Sequence, residues 1–169
     1  VHNERAIRAN IVVNIVARVD NFAPARIVNV MQPLTQPLTS GINHLGLTVK
    51  DLDETTRFFV DCMGWTQLVR DDAYPRTTVS DGKCRLTLWQ ADRQGPVVAF
   101  DRRSNIGLHH VAFELTSYAE LVAATKRVAQ FAGVIVEFEP EPVGSGPRMH
   151  AMIREPGGLR IELIWPADS

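Results

Sequence analysis

A chain of 169 residues is long enough for one domain with a sizeable core, or for two small subdomains that share one. Hydrophobic residues at 45% and charged residues at 22% match an ordinary globular protein and are too apolar for a disordered chain. Eighteen Lys and Arg against nineteen Asp and Glu give a formal charge of −1, which removes the electrostatic case for nucleic-acid binding, and no run of about 18 apolar residues offers a membrane span.

Residues 1–40 read differently from the remainder. Arg5 and Arg8 precede an apolar run from Ile11 to Val19, in the manner of a signal peptide. Asn14 and Arg18 interrupt that run, and no clean small-residue cleavage site follows it. Pro24, Pro33 and Pro37 then break regular structure. The segment is expected to be an extension upstream of Met31 with a β-like stretch within 11–19, the alternative being an arm that packs on a partner subunit. Cys62 and Cys84 lack CxxC spacing, so a reduced, cytoplasmic setting is expected, with a single bridge as the alternative.

From residue 41 onward the chain repeats itself. Gly41-Ile42-Asn43-His44-Leu45-Gly46-Leu47 parallels Gly107-Leu108-His109-His110-Val111-Ala112-Phe113 at an offset of 66. The same offset relates two capping boxes, Asp51 with Glu54 and Ser117 with Glu120. The first cap opens a helix carrying Phe58, Phe59, Cys62 and Met63 and stopped by Gly64. The second opens a helix carrying Leu121, Ala124, Val128, Phe131 and Ala132 and stopped by Gly133. Strand-like segments follow each helix: 65–70, 75–80 and 84–90 in the first copy, and 134–139, 148–154 and 159–165 in the second. Asp81-Gly82 predicts a hairpin turn, and Pro156-Gly157 predicts a type II turn. The organisation expected is an extension (1–40), a βαβββ module (41–90), a linker (91–106) and a second βαβββ module (107–166). The fold class is α+β, two paired βαβββ modules forming a curled mixed sheet around a cleft. A four-stranded sheet with one helix covers a single face, and a second copy covers the other.

Side chains alternate across a strand. In 42–49 the apolar stripe is Leu45, Leu47 and Val49, which places His44 on the opposite, cleft side. In 108–115 the stripe Val111, Phe113 and Leu115 places His110 in the cleft and turns His109 away. In 159–165 the stripe Ile161, Leu163 and Trp165 leaves Arg160 and Glu162 on the cleft side. His44, His110 and Glu162 therefore point into one cleft. Two imidazoles and one carboxylate suit a borderline divalent ion (Fe, Mn, Zn, Ni or Co), with open positions for water or a chelating substrate. The alternative for any one of them is a satisfied polar group.

Gly41 to Leu52, Leu108-His109-His110-Val111-Ala112-Phe113 and Glu155 to Leu163 resemble the vicinal oxygen chelate superfamily, which includes glyoxalase I, extradiol dioxygenases and bleomycin-resistance proteins. The resemblance implies one divalent metal on His44, His110 and Glu162, and a small substrate that chelates it through neighbouring oxygens. It implies stabilisation of an oxyanion or enolate, by a lyase or isomerase or by a dioxygenase. The alternative is a non-catalytic binding protein of the bleomycin-resistance kind. It also implies a homodimer, with neither nucleic acid nor membrane as partner. Thr87 falls where glyoxalase I carries a fourth ligand, so Glu162 would serve as both ligand and base. His150 is the further candidate acid or base, the alternative being a solvent-facing strand residue. Thr87, Trp89, Met152 and Arg148 are the candidate substrate-lining residues. Arg102 and Arg103 read as a solvated pair, with an anionic substrate tail as the alternative. Lys83 beside Cys84 would lower the thiol pKa.

Overall fold

The structure is a computed structural model that describes residues 33–92 and 94–167. The expected β-like stretch within 11–19 lies outside the described residues. The chain divides into two units, Val1–Ser40 and Gly41–Ser169, and every regular element among the described residues belongs to the second.

The first module runs β1 (Leu45–Val49), α1 (Leu52–Arg57), a π-helical turn (Phe58–Cys62), β2 (Thr66–Asp71), β3 (Arg76–Ser80) and β4 (Arg85–Gln90). The second runs β5 (Val111–Glu114), α2 (Tyr118–Val128), β6 (Ile135–Pro142), β7 (Met149–Arg154) and β8 (Arg160–Trp165). Each module is a four-stranded mixed sheet, ordered β1-β4-β3-β2 and β5-β8-β7-β6, with the first pair parallel and the rest antiparallel. Residues 91–106 carry no strand or helix among those described.

Both N-caps form. The Glu54 N–H donates to Asp51 Oδ1 at 3.0 Å and the Glu120 N–H to Ser117 Oγ at 3.1 Å, satisfying a donor that the first helical turn would leave orphaned. Two local expectations are corrected. α2 ends at Val128 rather than reaching Ala132, because Gln130 and Phe131 donate three residues back, to Arg127 and Val128, and tighten the chain out of the α-helix. The turn after β7 is not type II. Gly158 N–H closes on Glu155 O at 2.8 Å, and the positive φ falls on Gly158 (95°) rather than Gly157. This is a type I turn followed by a left-handed glycine, the three-residue hairpin loop.

The modules meet through their helix-bearing sides. Phe58 and Phe59, both fully buried, stack edge-on against Phe131 (5.6 Å) and Phe113 (6.2 Å) of the other module, and Trp65 packs on Phe113 at 5.0 Å. Polar contacts join the same surfaces. Arg127 Nε donates to Cys62 O at 2.6 Å, and Thr55 Oγ1 donates to the buried Glu155 Oε2 at 2.9 Å. Glu155 Oε1 accepts from Leu159 N–H, so neither oxygen is left unpaired. The opposite face of each sheet is open along its edge strand, with Gly46 and Thr48 on β1 and Ala112 and Glu114 on β5 exposed, while Thr87 on β4, Met152 on β7 and Glu162 on β8 are buried on those faces.

Truncating Phe59 to Ala removes a fully buried ring from this junction. The expected loss is about 3–5 kcal/mol of unfolding free energy in urea denaturation. A loss below about 1 kcal/mol would mean that the aromatic cluster does not hold the modules together.

Candidate metal and acid–base site

Glu162 lies in the middle of β8, opposite Ala112 on β5 and Met152 on β7. Its side chain is only 11% exposed. A buried carboxylate needs compensating partners, and it has two. His110 Nε2 lies 2.9 Å from Oε2, and His150 Nδ1 lies 2.5 Å from Oε1. β7 delivers His150 through its pairing with Ile164, and Phe138 on β6 packs against the His150 ring at 4.9 Å. His110 stands just ahead of β5.

The alternation expected for His109 is corrected here: it turns toward His110 and Arg160 rather than away, while His110 reaches Glu162. β5 begins at Val111, so strand parity does not constrain His109. The two Nδ1 atoms lie 2.8 Å apart, and His109 Nδ1 is also 3.4 Å from an Arg160 terminal nitrogen. A polar chain thus runs Arg160–His109–His110–Glu162–His150. Partial burial, then the positive charges of Arg160, His110 and Arg102, hold the His109 pKa below its usual value.

His44 stands just ahead of β1 and is exposed. Its Nδ1 lies 3.0 Å from Asn43 Oδ1. An amide oxygen only accepts, so Nδ1 carries the proton and Nε2 the lone pair, and the Asn43 contact thereby orients the ring with Nε2 free to bind a metal. Within one chain, however, His44 does not join His110 and Glu162. Among the described residues no three His, Cys, Asp or Glu side chains are disposed to hold an ion between them. The donor chemistry of the pair nevertheless fits: 2.9 Å between His110 Nε2 and Glu162 Oε2 is the spacing of adjacent ligands with bonds of roughly 2.1 Å.

The substrate-lining candidates separate into groups. Met152 is buried beside Glu162. Thr87 occupies the position on β4 that Glu162 occupies on β8, opposite Gly46 as Glu162 is opposite Ala112, and its Oγ1 is 3.4 Å from Thr78 Oγ1. Trp89 is held between Tyr74 (5.1 Å) and the Arg76 guanidinium (5.4 Å). Arg148 is exposed in the loop before β7. An apolar cavity of about 620 Å³ beside β1, lined by Leu47, Val97, Val98, Phe100 and Leu108, does not include His110, His150 or Glu162. Cys62 and Cys84 are both free thiols. Burial and then the Asp81 charge push the Cys84 thiol up, opposite to the direction expected from Lys83.

Sequence reasoning missed the role of His109 and the ion-pair cluster on Glu137, which receives Arg160 Nε and Arg154 Nε at 2.7 Å each. β6 is bulged on either side of Phe138, so parity along the strand could not have aimed Glu137.

Residues 41–163 match the Glyoxalase family, described as the Glyoxalase/Bleomycin resistance protein/Dioxygenase superfamily. The chain belongs to that superfamily. Its structure is similar to a glyoxylase/bleomycin resistance protein/dioxygenase domain from Frankia sp. EAN1pec, with 26% identity and a TM-score of 0.64 over 75% of this chain and 92% of that one. It is also similar to a lactoylglutathione lyase from Agrobacterium tumefaciens, with 21% identity and a TM-score of 0.58 over 77% and 96%. A third likeness is to a mutant fosfomycin resistance protein, FosX, from Listeria monocytogenes, complexed with Mn(II) and 1S,2S-dihydroxypropylphosphonic acid, with 21% identity and a TM-score of 0.57 over 75% and 90%. No curated protein is significantly similar in sequence. Among the described residues no helix is long and apolar enough to cross a membrane.

Burial raises the Glu137 pKa, but hydrogen bonds from Arg160 and Arg154 outweigh it and hold the carboxyl below its ordinary value. Its stabilising contribution is therefore complete above the unfolded pKa of about 4.3 and is lost as pH falls through the lower folded value. Glu137→Gln should lower the urea midpoint at pH 7, and the gap to wild type should narrow as pH falls below about 4. A gap that stays constant from pH 7 to 3 would assign the effect to shape rather than charge.

Proposed function

We propose that the chain is a metal-dependent enzyme acting on a small molecule that chelates the ion through neighbouring oxygens, with each site completed by a second copy. His110 and Glu162 of one copy, together with His44 of the other, would hold one divalent ion. The observation that carries this is the buried Glu162 carboxylate with an imidazole on each oxygen. Once bound, such an ion neutralises negative charge developing on a substrate oxygen.

The second copy is argued from the packing. Because the helix-bearing sides meet within the chain, the open face around Gly46 and Thr48 and that around Ala112 and Glu114 need a partner. A two-fold pairing would apply the β1 face of each copy to the β5–β8 face of the other, bringing His44 to the His110–Glu162 pair.

Proton transfer falls to His150. Its Nδ1 is committed to Glu162 Oε1, which fixes the ring and leaves Nε2 to accept a proton from carbon next to a chelating oxygen and return it elsewhere on the substrate. That is the work of a lyase or isomerase. A second reading, an extradiol-type dioxygenase, is favoured by Thr87. With no carboxylate at that position, the donor set is two histidines and one carboxylate, the facial set of non-haem Fe(II) oxygenases.

Protein purified without chelators should hold about one divalent ion per chain, and His44→Ala, His110→Ala and Glu162→Ala should each lose it. Co-expressed His44→Ala and His110→Ala chains should recover about one ion per mixed dimer, because one of its two sites then has all its ligands. No ion in wild type, and none on adding Fe, Mn, Zn, Ni or Co, would remove the enzyme. No recovery in the mixed dimer would place the site within one chain. Oxygen uptake with catechols separates dioxygenase from isomerase.

A further inference from the structure

A cavity of about 390 Å³ lies beside the Glu162 site, and its walls carry Arg102, Arg103, Arg154 and Arg160 with Asp101 and Glu137. Four cations against two anions leave a net charge of +2 in a concave space. The two carboxylates are already engaged. Glu137 is bracketed by Arg154 and Arg160, and Asp101 Oδ1 accepts from the Arg103 backbone N–H at 2.8 Å.

The guanidiniums are not used up by these contacts. Arg154 and Arg160 each spend their Nε–H on Glu137, and among the described residues the one further hydrogen bond at their terminal nitrogens is the 3.4 Å approach of Arg160 to His109. Arg160 is only 7% exposed, so its head group is held in place. The side chains of Arg102 and Arg103 make no hydrogen bond or ion pair with any described residue, although they sit at the rim of a cavity rather than on an open surface. Fixed guanidiniums at the base and, at the rim, guanidiniums with no hydrogen-bond partner among the described residues form a forked donor set for an oxyanion.

We infer that this cavity binds a dianionic oxyanion group, phosphate-like in charge and number of acceptors, and that it holds the tail of the substrate whose other end reaches Glu162. Arg160 places the two ends in register, since it lines the cavity and also meets His109, which contacts His110. The tail assignment rests on the proposed function; binding of the anion does not.

The test uses the full-length, metal-free protein at low salt, with inorganic phosphate titrated in a calorimeter. One phosphate per chain should bind saturably and more tightly than acetate. The Arg102→Ala/Arg103→Ala double variant, which breaks no hydrogen bond among the described residues, should weaken phosphate at least tenfold. His44→Ala, which loses the metal under the proposed function, should keep phosphate affinity within twofold. No saturable binding, equal affinity for acetate, or unchanged affinity in the double variant would overturn the anion site. If the anion binds as expected while wild-type protein takes up no divalent ion, the proposed metal function fails and the anion site stands.

Discussion

The aromatic junction between the modules governs everything else in this molecule. Phe58 and Phe59 lie side by side in a π-helical turn, both are fully buried, and their rings reach Phe131 and Phe113 of the other module. Burying rings of this size is among the larger favourable terms a small domain has. Having spent its helix-bearing faces on this contact, a single chain has none left to close the other side of either sheet. The exposure of Gly46, Thr48, Ala112 and Glu114 follows from that packing. So does the separation of His44 from the His110–Glu162 pair.

The second constraint is electrostatic. Glu162 is one of few buried acidic side chains, and the chain meets its desolvation cost with two imidazoles, one per oxygen. Glu155 solves the same problem in another way, with a threonine hydroxyl and a backbone N–H. The contrast is informative. Glu155 ties the β7–β8 turn to α1 through groups that cannot change protonation in the physiological range. Glu162 is tied to two imidazoles, one on each oxygen.

A third feature links the two ends of the proposed site. Glu137 gathers Arg154 from β7 and Arg160 from β8, and Arg160 stands two residues before Glu162 on the same face of the same strand. The ion-pair cluster and the carboxylate–imidazole cluster are therefore placed by one rigid element. Any group bound between the arginines lies at a set distance from Glu162, the kind of positioning that a strand supplies and a loop does not.

Much of this was legible in the residues. The 66-residue repeat, the Asp51 and Ser117 caps and the alternation along β8 are local patterns, and local patterns are written directly in sequence. They determined two βαβββ modules and put His110 and Glu162 on one side of the second, whereas His44, which the same alternation assigned to that cleft, is not brought to them within one chain. The type I turn at Pro156, the early end of α2 and the contact between His109 and His110 were not legible. Each depends on a register or a strand limit set by hydrogen bonds between distant segments. The Glu137 cluster was hidden by a bulge, and the open faces of the sheets by the way whole modules pack. Sequence by itself determined what each strand carries, because side-chain alternation is a property of the backbone. Only the tertiary structure decided which faces meet, because burying Phe58, Phe59 and Trp65 against Phe113 and Phe131 depends on surfaces that exist only once both modules have folded.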